Sequence, residues 1–334
     1  SIAVLIVGAN TINIGADMSG MAQAVAMIAP LPEKITAIAI TLLILGTILI
    51  FPYQKIFTVF KWLALTLFAY VFASFTVHQD WPRVFYHLFV PTIVFSKEYL
   101  LVLMAFMGTT LSPYLFFWQA NQEVEEKIIE QCKPGHICRL KPSSPEEMKA
   151  MDVDTRIGMT FSNLITFFII TLTAATLFRS GITNIETLRD AADALRPLAG
   201  NYAYSLFAIG ILSSGFLALP VLSGSAAYVI AEVFGWSGGF NKSFTKAKEF
   251  YIVIIASTVI GLAIPLLGFH PVKALFYTSL LYAVISPLLI IMVIHMANNK
   301  KIMGDYVNGK RLNWFGYITF WIMAASSVLI FFLF

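Results

Sequence analysis

The sequence is divided into long apolar runs that carry almost no charge. Nine runs can be read in this way: residues 1–29, which enclose a single Asp17, then 35–51, 62–77, 99–122, 157–178, 202–231, 250–269, 274–294 and 312–334. About 20 apolar residues cross a bilayer as a helix, and open strands cannot satisfy their backbone groups in lipid. Because 58% of residues are hydrophobic and only 12% are charged, a soluble protein of this composition would have too few charged side chains to cover its surface. The sequence therefore predicts an all-α integral membrane protein with nine spans and excludes a soluble enzyme or a nucleic-acid binder.

The polar residues are concentrated in a few connecting segments. We expect one transmembrane domain over residues 1–334, with a loop at 123–156 and a second loop at 180–201. The pattern of Thr183–Leu195 predicts a short amphipathic surface helix with Thr183 or Asn184 as its N-cap. Cys132 and Cys138 are too few for a disulfide framework, and their spacing is unlike that of a zinc pair.

The distribution of Lys and Arg predicts the orientation. Fourteen of the 22 basic residues fall on the side where the chain begins, seven fall on the other side, and Lys61 lies in a span. Because cytoplasmic loops carry the excess of positive charge, we expect the start of the chain in the cytoplasm and the C-terminus outside. A multi-pass protein of the plasma membrane follows from this assignment.

The first span carries an acid near its middle. Asn10, Asn13, Asp17 and Gly20 recur at helical spacing on roughly one face. Intramembrane charges are costly and commonly mark ion pathways, which favours a polar stripe lining a route for a cation. The alternative is a polar helix–helix contact, with Gly15, Ser19 and Gly20 permitting close approach.

The fourth span contains a helix-breaking sequence, Gly108-Thr-Thr-Leu-Ser-Pro113. Proline lacks an amide donor and clashes with the carbonyl four residues earlier, here that of Thr109. The neighbouring Gly, Thr and Ser residues predict a broken helix with free carbonyls, the kind of element that forms substrate sites in transporters. A plain proline kink is the alternative.

At these two segments the sequence resembles the NRAMP family of divalent-metal transporters. Residues 13–20 are similar to the third helix of that family, residues 108–119 to its sixth helix, and residues 223–232 to its eighth. The resemblance implies a LeuT-type inverted-repeat fold, of which the nine spans would be helices 3–11. It also implies that the chain is N-terminally truncated and lacks the first helix, with its Asp-Pro-Gly metal motif, and the second.

The resemblance also implies a set of site residues. The family's metal-binding methionine corresponds to Ser112, its carbonyl ligand to Thr109, and a polar residue of helix ten to Ser279. The family's two histidines correspond to Tyr114 and Gln119, and the glutamate of helix three to Gly20. The implied metal ligands are Thr109, Ser112 and Ser279, and the implied ion pathway contains Asn10, Asn13, Asp17, Thr110, Tyr114 and Gln119.

These departures change the expected substrate. A hydroxyl in place of a thioether favours Mg²⁺, Ca²⁺ or Mn²⁺ over softer metals, and a roomier polar site suits a hydrated ion. Losing the histidines and the glutamate removes candidate proton carriers. We expect a monomeric transporter, not an enzyme, with no cofactor and with a divalent metal ion and the bilayer as its partners. It would import Mg²⁺, with Mn²⁺ tolerated, down the electrochemical gradient without obligatory proton coupling, as the NRAMP-related magnesium transporters do.

Three alternatives stay open from the sequence. The first is a conventional proton-coupled Mn²⁺/Fe²⁺ transporter in which Asp17 accepts the proton. The second is a transporter of amino acids or other organic solutes on the same LeuT-type scaffold. The third is a structural or receptor membrane protein, in which substitution of Asp17 or Ser112 would affect only stability.

Overall fold

The computed structural model describes residues 2–51, 62, 65–132, 141–182, 185 and 187–333. Every regular element among these residues is helical, which confirms the predicted class. Numbered in order, the α-helices are α1 Ile2–Ile28, α2 Glu33–Ile50, α3 Phe68–Thr76, α4 Trp81–Phe89, α5 Lys97–Thr110, α6 Pro113–Gln131, α7 Pro145–Thr176, α8 Leu188–Ala192, α9 Arg196–Ala199, α10 Ala203–Phe234, α11 Lys248–Gly261, α12 Ala263–Leu267, α13 Pro271–Ala297, α14 Lys300–Met303 and α15 Lys310–Leu333.

Eight helical segments in the described part of the chain are long and apolar enough to cross a membrane. They are α1, α2, α5 with α6, α7, α10, α11 with α12, α13, and α15. The predicted span at 62–77 is represented by a shorter apolar helix, Leu65–Thr76, and residues 52–61 and 63–64 lie outside the described residues. The described chain therefore contains eight of the nine predicted spans at full length.

Helix α1 lies at the centre of the bundle. It packs most extensively against α10, and then against α13, α11 and α2. Gly15 lies directly against the Gly261 carbonyl, where a Cβ atom would overlap that oxygen and the Ile264 side chain. Small residues let membrane helices approach closely in this way. Helix α1, which carries the polar stripe, therefore packs against four other spans.

In the predicted loop at 123–156, the described residues 123–131 and 145–156 are helical. Helix α6 continues to Gln131, and α7 begins at Pro145. Ser144 caps α7 in a reciprocal capping box with Glu147, and Lys127 of α6 forms an ion pair with Glu147 at 2.9 Å. The onset of charge in the sequence marks where the helices leave the apolar layer, because a helix can continue into water without interruption.

Two further sequence predictions concern the connecting segments. The segment 180–201 contains α8 and α9, and α8 is capped by Thr187 in a second capping box with Asp190. The predicted caps, Thr183 and Asn184, lie outside the described residues. Cys132 follows α6 and is disulfide-bonded, so it offers no free thiol to a metal.

Candidate functional site

The fourth span is broken, as the sequence predicts. Helix α5 ends at Thr110, and the backbone turns through Leu111 (φ −111°, ψ 54°) and Ser112 (φ −65°, ψ 123°) before α6 begins at Pro113. Pro113 cannot donate to a carbonyl of the preceding turn. The Ser112 hydroxyl instead donates to the Thr109 carbonyl at 2.7 Å. At the break, the Thr109 and Leu111 carbonyls accept from side-chain hydroxyls, and membrane proteins tolerate such non-helical backbone within a span where protein or water surrounds it.

Helix α13 holds the break in place from one side. The Ser286 hydroxyl is fully buried and lies 2.7 Å from the Leu111 carbonyl, to which it donates. One turn before the break, Gly108 touches the α13 backbone, where a Cβ atom would overlap the Ser279 carbonyl and the Ala283 amide. Gly108 and Ser286 therefore fix both ends of the break against α13.

A buried amide joins three helices beside the break. Asn10 is fully buried, and its Nδ2 donates to the Leu222 carbonyl of α10 at 3.2 Å. The Tyr282 hydroxyl of α13 donates to Asn10 Oδ1 at 3.0 Å, and the Tyr282 ring lies 5.7 Å from the ring of Tyr114. The side chain of Asn10 is thus occupied by contacts between helices, which matches the alternative that the sequence left open for this position.

Asn13 and Asp17 occupy the same face of α1 but are only partly buried. Asn13 contacts the Tyr282 hydroxyl, and the Asp17 carboxyl lies within electrostatic range of the hydroxyls of Tyr114 and Tyr282. The Asp17 carboxyl accepts no hydrogen bond from any described residue. Asp17 is therefore a carboxyl with unoccupied lone pairs beside a broken helix.

A cavity of about 1020 Å³ extends from the break along α6. Thr110 and Ser112 line its inner part. Among the described lining residues, four carboxyl groups lie farther out, those of Glu123, Glu125, Glu126 and Asp154, and none of these lining residues is Lys or Arg. Low-dielectric walls with charge of one sign concentrate counter-ions, so the cavity favours cations.

The remaining predicted site residues have local or peripheral partners. Thr110 lies in the cavity wall and bonds the Phe106 carbonyl through its hydroxyl at 2.8 Å. Ser279 bonds the Leu275 carbonyl of its own helix at 2.8 Å. Gln119 bonds the Thr155 hydroxyl of α7 at 2.8 Å in the cavity wall. The structure thus groups Asn13, Asp17, Ser112 and Tyr114, and it places Gln119 in the cavity wall, hydrogen-bonded to α7.

Sequence reasoning missed Tyr282 and Ser286. A signal was available, because Thr278, Tyr282 and Ser286 recur every four residues in an otherwise apolar span. Residues at this spacing share one helix face, and all three side chains are buried. Within the described residues no group of three or more His, Cys, Asp or Glu side chains could hold a metal ion. The described groups near Asp17 are the hydroxyls of Tyr114 and Tyr282, with the Asn13 amide on Tyr282.

Comparisons with known proteins agree with this architecture. The sequence matches the Nramp family (Natural resistance-associated macrophage protein-like) over residues 1–333. It is 25% identical over 250 residues to a divalent metal cation transporter MntH of Caldanaerobacter subterraneus subsp. tengcongensis, covering 75% of this chain and 54% of that protein. It is also 25% identical over 254 residues to the MntH protein of Clostridium acetobutylicum, covering 75% and 53%.

A third relative, the MntH protein of Chromohalobacter salexigens, is 22% identical over 240 residues, covering 71% of this chain and 51% of that protein. The chain thus spans about half the length of the curated relatives it matches. The family match over residues 1–333, together with eight apolar helices of membrane length among the described residues, shows that this chain is a multi-pass membrane protein that belongs to the Nramp family.

Proposed function

We propose that this chain forms the ion pathway of a divalent-cation transporter that carries Mg²⁺, with Mn²⁺ tolerated. The observation that carries the proposal is the set of groups at the break: the free Asp17 carboxyl, the Ser112 hydroxyl, the Tyr114 hydroxyl and peptide oxygens. All are hard oxygen donors. Mg²⁺ prefers such donors and keeps part of its hydration shell, whereas thioether and imidazole ligands favour softer transition metals.

The Ser112 hydroxyl can still serve as a ligand. A hydroxyl has one proton to donate and two lone pairs that accept. Its proton goes to the Thr109 carbonyl and its Oγ also contacts the Tyr114 hydroxyl, so Ser112 Oγ keeps a lone pair for a cation or its water. Ser112 also lines the cavity, which supports an ion approaching it from that side. Thr109 and Ser279 complete the proposed ligand set through backbone and hydroxyl oxygens.

The proposed pathway leads from the cavity to Asp17. The three cavity carboxyls other than Glu125, those of Glu123, Glu126 and Asp154, attract a divalent ion from solution. The break then brings the ion to Ser112 and on to Asn13 and Asp17 on α1. We assign the cavity to the cytoplasmic side on the basis of the Lys and Arg distribution. In the plasma membrane, an inward voltage of 100 mV contributes about 2.3 kcal/mol per charge, which supports downhill import of a divalent ion.

We further propose that transport requires no proton coupling. Tyr114 and Gln119 stand where the resemblance places histidines, and their side chains are engaged by the Tyr282 ring and the Thr155 hydroxyl. Neither a tyrosine nor a glutamine exchanges protons near neutral pH.

The proposal includes a LeuT-type arrangement in a monomer, completed by two helices that precede this chain. A conventional proton-coupled Mn²⁺/Fe²⁺ transporter, with Asp17 as proton acceptor, is the second candidate, since Asp17 is a titratable group in the pathway.

Proteoliposomes test the proposal directly. Two proteins are reconstituted, this chain alone and this chain extended by the two N-terminal helices, and Mg²⁺ and Mn²⁺ entry is followed under an imposed voltage with a pH dye inside. We expect the extended protein to admit both ions without acidifying the lumen. Mn²⁺ entry with acidification and no Mg²⁺ signal would favour the proton-coupled candidate. Inhibition of ion entry by amino acids would indicate an organic-solute transporter.

A further inference from the structure

Glu125, on the charged half of α6, is a buried carboxylate with every oxygen occupied. Its side chain is 8% exposed. The carboxylate accepts hydrogen bonds from the Tyr228 hydroxyl of α10, from the Phe240 amide at 2.8 Å and from the Asn241 amide at 3.0 Å. Helix α6, helix α10 and the loop that follows α10 therefore meet at one side chain.

The loop at 235–247 is shaped around this carboxylate. Gly239 has a φ of 126°, a conformation that residues with a Cβ atom rarely adopt, and a Cβ there would lie 2.7 Å from Asn241 Oδ1 and also contact Glu125 Oε1. The two following amides, those of Phe240 and Asn241, point together at Glu125. Successive amides in such a turn form a concave anion site, and here the anion is a side chain of the same protein.

The same face of α6 makes further contacts with this region. The Trp118 ring lies 5.7 Å from the Phe240 ring and 6.2 Å from the Tyr228 ring. Gln122 Nε2 donates to the Tyr228 hydroxyl at 3.1 Å. Because positions 118, 122 and 125 share one helix face, α6 is fixed to α10 and to the loop along two turns.

Contacts from α6 to α7, on the other wall of the cavity, are weaker. They include the Gln119–Thr155 hydrogen bond at 2.8 Å and the Lys127–Glu147 ion pair at 2.9 Å. Glu147 is 44% exposed, and exposed ion pairs contribute little because water competes for them. One wall of the cavity is therefore tied to α6 by a buried carboxylate, and the other by surface contacts.

We propose that Glu125 is a positioning residue that joins α6, α10 and the loop at 235–247 into one rigid body, so that the cavity changes width by movement of α7 against that body. This role in transport depends on the proposed function. The hydrogen bonds that Glu125 accepts from Tyr228, Phe240 and Asn241, which together form a clamp, do not depend on the proposed function, because they exist without any ion.

Amide hydrogen exchange in the reconstituted protein tests the clamp. Asn241 is exposed, so hydrogen bonding to Glu125 is what protects its amide. Removing the carboxylate by Glu125→Gln should speed exchange of the Phe240 and Asn241 amides by about tenfold or more, since local opening sets the rate. Glu130→Gln makes the same charge change at an exposed position of α6 outside the cavity and should leave these rates unchanged. Equal rates in the wild type and in Glu125→Gln would disprove the clamp.

Spin-label distances in the same proteoliposomes test the rigid body. Val124 on α6, Val233 on α10 and Val153 on α7 are exposed positions for labels. On addition of Mg²⁺ and voltage, we expect the 124–233 distance to stay constant and the 124–153 distance to change. A shift of 124–233 as large as that of 124–153, or no shift of either in vesicles that transport, would overturn the proposal.

Uptake rates separate the clamp from a general structural role. Glu125 is proposed to act through the movement of α6, so Glu125→Gln should lower the maximal rate several-fold per folded protein and leave the KM for Mg²⁺ unchanged. Glu130→Gln should change neither quantity. An unaltered maximal rate in Glu125→Gln would contradict the proposed role. If the exchange result holds but the wild type moves no ion, the proposed function fails and the clamp remains.

Discussion

Asp17 and Glu125 are both carboxyl groups on apolar helices, yet their surroundings differ completely. Glu125 is buried and accepts three hydrogen bonds from α10 and the following loop. Asp17 faces hydroxyls and an amide, but none of the described residues donates a hydrogen bond to it. A carboxylate whose two oxygens both accept hydrogen bonds from the protein holds structure together, whereas one that no described residue donates to is available to a cation. Their hydrogen-bond partners, and not the residue type, separate the structural acid from the proposed ion ligand.

Substitution of Asp17 should give the largest change in transport. A charged ligand contributes about 1.5–3 kcal/mol, so Asp17→Asn should weaken Mg²⁺ uptake by roughly 10- to 100-fold. Because no hydrogen bond is lost, the melting temperature should not fall. Asp305→Asn, at an exposed position outside the cavity, is the matched control. Uptake that survives Asp17→Asn intact would leave Asp17 with no place in the pathway.

Substitution of Glu125, unlike that of Asp17, should lower the melting temperature of the protein. Glu125→Gln replaces one of the two accepting oxygens with an NH2 group, which then faces the amide of either Phe240 or Asn241, and an unsatisfied buried group costs about 1–3 kcal/mol. Thermal unfolding in detergent, with Glu130→Gln measured in parallel, should therefore show a lower melting temperature for Glu125→Gln alone. Equal melting temperatures for the two variants would remove the contrast with Asp17.

Ser112→Met sharpens the comparison by adding a soft ligand next to the free carboxyl. The thioether should favour Mn²⁺ over Mg²⁺, and a tenfold change in the uptake ratio corresponds to roughly 1.4 kcal/mol of differential binding. Ser162→Met, at an exposed position of α7, adds the same side chain away from the break and should not shift the ratio. An unchanged ratio in Ser112→Met would indicate that the ion does not contact residue 112.

The smallest effect is expected at Ser286. Ser286→Ala removes the donor to the Leu111 carbonyl and should lower stability by about 1 kcal/mol, the net value of a typical hydrogen bond. Ser257→Ala is a suitable control, because that buried hydroxyl bonds the Ile254 carbonyl of its own helix. If both variants melt at the same temperature, the contact with α13 does not stabilise the break.

The sequence predicted the local elements of this site well. Gly108 and Pro113 act on the backbone within one or two turns, so the break could be located from the local sequence alone. The acid at Asp17 was recognisable because charge is rare within a span. These features depend on neighbours in sequence and on the cost of polar groups in lipid.

The partners of these residues could not be predicted in the same way. Glu125 is separated from Tyr228 by 103 positions and from Asn241 by 116, and nothing near Glu125 in the sequence marks it as buried. The charge of the segment 123–156 predicts a loop, whereas its described residues 123–131 and 145–156 continue the flanking helices, because charge does not end a helix. Asn10 lies on the same face of α1 as Asn13 and Asp17. Its side-chain amide, however, forms hydrogen bonds with the Leu222 carbonyl of α10 and the Tyr282 hydroxyl of α13.

The cavity beside α6 has an electrical consequence. Water that enters as far as Ser112 brings the conductive solution into the bilayer, so the membrane potential falls across the thinner layer that remains. An ion moving from the mouth of the cavity to Ser112 crosses little of the field, and the step past Asp17 crosses most of it. Block by impermeant cations applied from the cavity side should therefore depend only weakly on voltage.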